Sequence, residues 1–462
     1  MRSDMHASVF EELKTTFRQG LSRSFAWRRE QLRALQRFLI ERERDIAAAV
    51  HEDLGKSFSE TFMTETSFIS GEIRHALKHL RQWMMPSPAR TPLHYLFGSS
   101  AVHQEPYGVV LIIGAWNYPL QLVLAPLVSA LAAGNCAVIK PSELAPCTSA
   151  FLAQHLAGYL DPRAVRVIEA EAADIQALLE NRFDFVFYTG SRTGGRAVMR
   201  AAADHAVPVA LELGGKNPCI VERNASLRTA ARRIVWAKFL NAGQTCIAPD
   251  YLLVHEDAEK ELLHLMQLAI RDFFGENPGS SADYSRIVSE HHVARLEQLL
   301  RGCEIVAGGQ TDRACRYVAP TIVRGIRQDS PLMHTEIFGP LLPVMTYRTL
   351  DEALAVIREG GEPLAVYLFS PDRVVRGKVL HGTCSGSFCC NDLLFQSAIH
   401  GLPFGGRGMS GFGAYHGKAG FETFSTTRSV LYRSVFPDPD LRYPPYGGWK
   451  FRVLRAIVRF FG

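Results

Sequence analysis

Between residues 106 and 139 the chain carries no Asp, Glu, Lys or Arg, and this absence narrows what the segment can build. A membrane-spanning helix needs roughly 20 mostly apolar residues in one piece. Gly114, Asn117, Pro119, Gln121, Pro126 and Asn135 interrupt this run. It reads instead as strand (108–113), loop, helix (120–133) and strand (136–139). Strands this poor in charge belong to a parallel sheet covered on both faces.

The same alternation continues. Strands are expected at 165–169, 184–188 and 207–211, then at 218–221, 251–254 and 342–346, with helical stretches between them. Strands alternating with helices specify an open, mostly parallel α/β sheet. Residues 8–85 read as amphipathic helices. The stretch 91–105 reads as two short strands joined at Gly98–Ser99. The Gly-, Phe- and Ser-rich region 396–430 leads into a strand at 429–432.

A chain of 462 residues is long enough for two or three domains, and 47% hydrophobic with 21% charged residues is ordinary for a globular protein. Nine cysteines occur without a CxxC pair or a zinc-like Cys/His spacing. They read as reduced thiols of a cytoplasmic protein with no metal site. A net charge of +5 without a basic run argues against a nucleic-acid partner. The first 20 residues mix apolar and charged positions, as in an amphipathic helix rather than a secretory leader.

Several stretches carry chemistry. The GxGxxG at Gly406, Gly408 and Gly411 neither follows a strand nor opens a helix, so it reads as a glycine-rich loop rather than a dinucleotide fingerprint. "FVFYTGSRTGGRAVMRAAA" (185–203) is a better phosphate site. An apolar strand ends at Tyr188, Gly190 and Gly195 bracket a turn, and a helix begins near Arg196. Such a helix start offers backbone N–H groups and a positive dipole end to an anion, although glycine turns also serve packing. "VIKPSE" (138–143) ends a strand, where open α/β sheets bind ligands. Lys140 and Glu143 there are either ribose-binding groups or a solvated pair.

"LELGGKNP" (211–218) places Glu212 among apolar residues. A buried carboxyl has a raised pKa and can act as general base, or it can be a structural hydrogen-bonding group. "FLNAGQTCIAPD" (239–250) holds Cys246 in the most open and polar setting of the nine thiols. Only about 3% of an ordinary thiol is ionised at pH 7, so a nucleophilic Cys246 needs a helix end or a positive neighbour.

Taken together, "GAWNYPL" (114–120), "IKPSE" (139–143), "YTGSRTGG" (188–195), "LELGGKNPCIV" (211–221), "NAGQTCIAPDY" (241–251), "EIFGPLLPV" (336–344) and "LPFGGRGMSGFGAYHGKAGFETFS" (402–425) resemble the aldehyde dehydrogenase superfamily. They are most similar to its class 3 branch, which includes the fatty aldehyde enzymes. The motifs fall in order over residues 105–430.

The resemblance implies an aldehyde dehydrogenase-like α/β fold. A Rossmann-like NAD(P)-binding domain would comprise residues 1–82 and 106–210, and a catalytic α/β domain residues 211–395. A bridging β element (83–105 and 396–432) would form a homodimer. The resemblance also implies roles. Cys246 is the nucleophile, Asn117 and the Cys246 N–H the oxyanion hole, and Glu212 the general base. Lys140, Ser142, Glu143, Gly190, Ser191, Gly195, Glu336 and Phe338 hold NAD or NADP.

Arg192, Gly194 and Arg196 make the phosphate turn more basic than the family pattern, which leaves both cofactors open. The implied substrate is a medium- to long-chain aliphatic or aromatic aldehyde. The main alternative is a CoA-acylating aldehyde dehydrogenase, but members of that kind typically lack the base at the Glu212 position. A thiol hydrolase would need no dinucleotide stretches.

The tail "GGWKFRVLRAIVRFFG" (447–462) reads as a basic amphipathic helix. Val453, Leu454, Ile457, Val458 and Phe461 share one face, and Arg452, Arg455 and Arg459 another. It is too short to span a bilayer. Its apolar face would pack on the enzyme or its partner subunit, or lie on an anionic membrane.

Overall fold

The charge-free stretch folds as strand Val109–Ile113, helix Gln121–Ala133 and strand Cys136–Lys140. All of the helix except Gln121 is buried, and Gly134 ends it in the left-handed conformation at φ 91°. The computed structural model describes residues 2–92, 98–171 and 175–461.

Three main sheets organise the chain. The first has the order Gly411–Phe412, Val209–Leu213, Phe185–Gly190, Val109–Ile113, Cys136–Lys140, Val165–Val167. All its neighbours are parallel except Gly411–Phe412, which runs antiparallel to Val209–Leu213. Ile113 pairs with both Tyr188 and Lys140, so three neighbouring strands end side by side. The second sheet orders Glu304–Ala307, Thr321–Arg324, Leu341–Tyr347, Tyr251–His255, Pro218–Val221, Ala365–Phe369 and Ser387–Cys390. Only the first pair there is antiparallel.

The third sheet is antiparallel and places Gly98–Pro106 between Ser87–Ala89 and Ser425–Arg433. It corrects the expected 91–105 hairpin. The partner strand lies earlier, at Ser87–Ala89, while residues 93–97 of the expected first strand lie outside the described residues. The N-terminal helices are present at Arg2–Arg18, Phe25–Glu41, Glu43–Leu54 and Ser67–Trp83. Their apolar faces join the same core as the first sheet.

Two further corrections bear on the site. The helix after the phosphate turn begins at Arg192 rather than Arg196, because the Ser191 hydroxyl caps it by accepting from the Gly194 N–H at 3.1 Å. Strand Val209–Leu213 starts two residues later than expected, so Glu212 lies within the strand and not after it. The tail forms helix Trp449–Phe461. No helix among the described residues is long and apolar enough to cross a membrane.

Candidate active site

The loop that carries Cys246 is fixed by unusual backbone and many hydrogen bonds. Asn241, Ala242 and Gly243 adopt φ values of 51°, 50° and 75° in succession. A non-glycine residue with positive φ is strained and persists only where its surroundings over-determine it. Here they do. The fully buried Asn217 side chain donates to the Cys246 carbonyl at 2.7 Å and to the Ala248 carbonyl at 3.0 Å. Tyr367 donates to the Ile247 carbonyl at 2.6 Å, and the hydroxyls of Tyr118 and Thr245 lie 2.6 Å apart. Gln244 bridges the Asn241 and Arg286 carbonyls and accepts from the Val288 N–H at 2.9 Å.

Two clefts meet at the sulfur. The first, with about 830 Å³ of empty space including its mouth, brings Asn117, Gly190, Ser191, Glu212, Glu336 and Phe338 together with Cys246. The second, about 770 Å³, is walled by Phe68, Tyr118, Trp236, Leu240, Phe395 and Phe404. Only Cys246 and Leu122 line both. One cleft is thus mixed in polarity and reaches the strand ends of the first sheet, whereas the other is largely apolar.

Around Cys246 the expected residues divide by role and place. Asn117 is buried, and its side-chain amide donates to the Gln244 carbonyl at 3.0 Å. An amide has two donors, so one remains for the cleft. Glu212 is 4% exposed, and its Oε2 has no hydrogen-bond partner among the described residues. Burial raises its carboxyl well above the ordinary range, and the Gly406 N–H opposes that only in part. Burial also pushes the Cys246 thiol up, helped by Glu212 and Glu336, while the N–H groups of Ile247 and Cys246 pull the other way. Both groups are therefore poised to be neutral until a ligand alters their surroundings.

In the first cleft, Glu336 accepts from the Gly215 N–H at 3.1 Å. A Cβ on Gly214 would stand 1.7 Å from Glu336 Oε2, so the carboxylate occupies the room the glycine leaves. Burial and Asp250 raise the Glu336 carboxyl to about 8. Phe338 has φ 44° and meets Trp116 edge to face at 5.2 Å.

Lys140 is buried and paired with Glu143, and the Ser142 hydroxyl accepts from the Leu144 N–H at 3.3 Å. These three residues lie at the end of strand Cys136–Lys140, beyond the lining of the first cleft. Gly195 sits inside the first turn of its helix, where a Cβ would come within 2.7 Å of Leu213. Its role is thus close packing of helix on strand. The Gly190 backbone opens on the cleft.

The glycine-rich GxGxxG stretch is more structured than a loop. Gly411 pairs with Glu212, and a Cβ on Gly411 would lie 2.0 Å from the Leu211 carbonyl oxygen. Among the cleft residues that the sequence reading did not single out are Trp116, His292 and Arg295. Trp116 lay within a quoted motif. His292 and Arg295 sit one turn apart on helix Glu290–Leu300, and only their spacing placed them on a common face.

A family model described as the aldehyde dehydrogenase family matches residues 5–430. The chain belongs to the aldehyde dehydrogenase family. It is an NAD(P)-dependent aldehyde dehydrogenase of family 3 type. It is 44% identical to aldehyde dehydrogenase family 3 member H1 of Arabidopsis thaliana, over 98% of this chain and 94% of that one. It is also 44% identical to family 3 member B1 of Rattus norvegicus, over 98% of each. Among solved structures, it resembles a substrate-bound state of Staphylococcus aureus AldH with TM-score 0.95 and 41% identity, over 98% of this chain and 99% of that one. An indole-3-acetaldehyde dehydrogenase in complex with NAD+ matches with TM-score 0.85 and 25% identity, over 94% and 89%.

The fit to a dinucleotide can be judged from the chain itself. An aldehyde dehydrogenase needs an anion-accepting helix start, hydroxyl-binding carboxylates and a flat apolar surface. Ser191 at the start of the Arg192–Ala203 helix, Glu336 and Phe338 line the cleft and fit these needs, and Glu143 stands outside that lining at the end of strand Cys136–Lys140.

Proposed function

We propose that this aldehyde dehydrogenase oxidises medium- to long-chain aliphatic or aromatic aldehydes to carboxylic acids through a covalent intermediate on Cys246. The observation that carries the reading is the sulfur at the junction of an apolar and a mixed cleft, with the unpartnered Glu212 oxygen in the latter. The aldehyde chain enters the apolar cleft. Cys246, once its proton has passed to solvent, attacks the carbonyl carbon as the thiolate, and the oxygen that becomes negative accepts hydrogen bonds from the Asn117 amide and the Cys246 N–H. Losing one such donor costs about 100- to 1000-fold.

Gly190, Ser191, Glu336 and Phe338 would hold NAD or NADP in the other cleft, Lys140, Ser142 and Glu143 would hold it beyond that lining at the end of strand Cys136–Lys140, and Gly195 would let the helix start come close. The bound cofactor supplies the hydride acceptor that turns the thiohemiacetal into a thioester. Glu212 then takes a proton from water as that water attacks the thioester carbon, and Cys246 leaves as thiolate. Burial makes the ionised Glu212 a stronger base than an ordinary carboxylate, once a bound ligand has altered its surroundings enough for it to ionise.

The enzyme acts as a homodimer. Ser425–Arg433 is the edge strand of the antiparallel sheet and exposes Leu431 and Tyr432 at 58% and 64%. A strand edge with no partner among the described residues is a template for a second chain.

Rapid mixing of Glu212→Gln with aldehyde and NAD tests the chemistry. One equivalent of NADH should form per site, followed by steady turnover lower by about 100-fold. Normal steady turnover would remove Glu212 from the mechanism. Cys246→Ser should show neither phase, yet bind NADH normally. A wild-type enzyme that turns over only with added CoA would replace hydrolysis by acyl transfer.

A further inference from the structure

Asn117 stands on a loop gripped by an ion pair from a distant part of the sequence. Lys56 and Glu65 are both 0% exposed and meet at 2.9 Å. Lys56 Nζ also donates to the Asn117 carbonyl at 2.9 Å and lies 4.0 Å from the centre of the Tyr118 ring. The second Glu65 oxygen accepts from the Leu120 N–H at 3.0 Å and the Gln121 N–H at 2.8 Å. The pair thereby holds both ends of segment 117–121, just where helix Gln121–Ala133 begins.

Local structure puts Glu65 there by an uncommon device. A π-helical turn, Phe62–Thr66, interrupts the helical run between Phe58–Thr61 and Ser67–Trp83. Such turns are rare and cluster at functional sites, because they rotate a side chain out of its α-helical register.

The same segment is tied to the thiol loop. Asn241 Nδ2 donates to the Asn117 carbonyl at 2.8 Å, and the Asn241 N–H donates to the buried Glu60 at 2.8 Å. The Asn117 carbonyl therefore has two donors, one from Lys56 and one from the loop that precedes Cys246. Taking two charges out of water costs several kcal/mol per ion, and an apolar pair of similar volume holds a fold equally well. The bonds of Lys56 and Glu65 to the 117–121 backbone are ones that an apolar pair cannot make.

We propose that Lys56 and Glu65 are positioning residues for acyl transfer, setting where the Asn117 amide stands relative to the Cys246 sulfur. This rests on Asn117 being the oxyanion donor, so the test separates the two claims. The full-length double variant Lys56→Met/Glu65→Gln, the single variant Glu65→Gln, and Asn117→Ala are compared with wild type by three readouts. The burst of p-nitrophenolate from p-nitrophenyl acetate reports acylation, which needs thiol and oxyanion donor but no cofactor. Alkylation by iodoacetamide reports the thiol alone. NADH fluorescence reports cofactor binding.

In the double variant the ester burst slows by about 10- to 100-fold, the scale of an ångström-sized misplacement, while alkylation and NADH affinity stay within about twofold. Asn117→Ala slows the burst by about 100-fold or more. Glu65→Gln keeps the shape of the side chain and one acceptor, and slows the burst less than the double variant does. It reads out the proposal if the double variant does not fold. A burst within about twofold of wild type in the folded Lys56/Glu65 variants, with Asn117→Ala slow, overturns the positioning role alone. A parallel loss of alkylation also overturns it, because the pair would then act on the thiol or on folding. A normal burst in Asn117→Ala overturns both claims.

Discussion

Gly243 and Gly339 touch through their backbones: a Cβ on Gly243 would stand 2.3 Å from the Gly339 carbonyl oxygen. The loop before the thiol and the loop after Glu336 and Phe338 therefore meet with no side chain between them. Gly243 also has φ +75°, which costs an L-residue about 1–2 kcal/mol. Gly243→Ala combines that strain with a backbone clash. We expect a folded but destabilised protein whose kcat falls by about 100-fold, the cost of misplacing reacting groups by about an ångström. Thermal melting and steady-state kinetics measure both effects. An unaltered kcat would show that the two loops are free to separate.

Cofactor preference is expected to turn on Glu143. Its carboxylate is paired with the buried Lys140 at the end of strand Cys136–Lys140, two strands from the phosphate turn. A carboxylate there bonds a ribose 2′-hydroxyl and repels a 2′-phosphate. The enzyme should accept both NAD and NADP, and Glu143→Gln should raise the ratio of kcat/KM for NADP over NAD by about tenfold, the equivalent of one charge interaction of about 1.4 kcal/mol. If the ratio does not move, Glu143 is not the selector.

Glu336 is expected to link cofactor binding to pH. Its carboxyl is raised to about 8 in the folded chain, against about 4.3 for an unfolded glutamate. The folded state thus binds the proton more tightly. Its contribution to stability is complete below about pH 4.3 and is lost as pH rises through about 8. Wild type should lose more thermal stability than Glu336→Gln between pH 6 and 9. NADH affinity should move oppositely, tightening over the same range as the carboxylate forms and accepts ribose hydroxyls. Glu336→Gln should flatten that profile. A pH-independent wild-type affinity would place the ribose elsewhere.

The tail helix is expected to bind anionic membranes peripherally. Of the expected apolar face, Val453 and Val458 are 39% and 68% exposed while Leu454 and Ile457 are half-buried, and Trp449, Phe451 and Phe460 are exposed outside it. Arg452, Arg455 and Arg459 supply the basic side. In flotation with vesicles containing phosphatidylserine, full-length protein should rise with the lipid and a 1–446 truncation should stay behind. Equal flotation removes the membrane contact and leaves the enzyme itself or its partner subunit as the surface for the helix.

The strand positions were legible because a doubly covered parallel sheet leaves continuous apolar runs. The stretch 109–113 is VVLII, and no other element type explains it as well. The strand before Gly98 was misplaced because Ser87–Ala89 is three exposed residues long and has no apolar pattern to show. The helix after Gly190 was started too late because Gly194 and Gly195 look like turn residues. The capping bond of Ser191, not propensity, decides its start.

At the site, residues inside long motifs could be read from the chain. His292 and Arg295 could not, since their helix reaches the cleft only by tertiary packing. Lys56 and Glu65 were hidden for a different reason. Charged residues in a helical stretch look solvated until a buried segment 60 residues away is folded over them.

The two clefts that share only Cys246 and Leu122 give the enzyme two separate doors. On the proposed reading the aldehyde and its acid product would travel through one, and the dinucleotide through the other. Neither ligand must leave to let its counterpart pass, so steric blocking does not dictate the order of binding. If the aldehyde occupies the cleft lined by Trp236 and Phe395, changes there would redraw its chain-length preference while the nucleotide side is left as it stands.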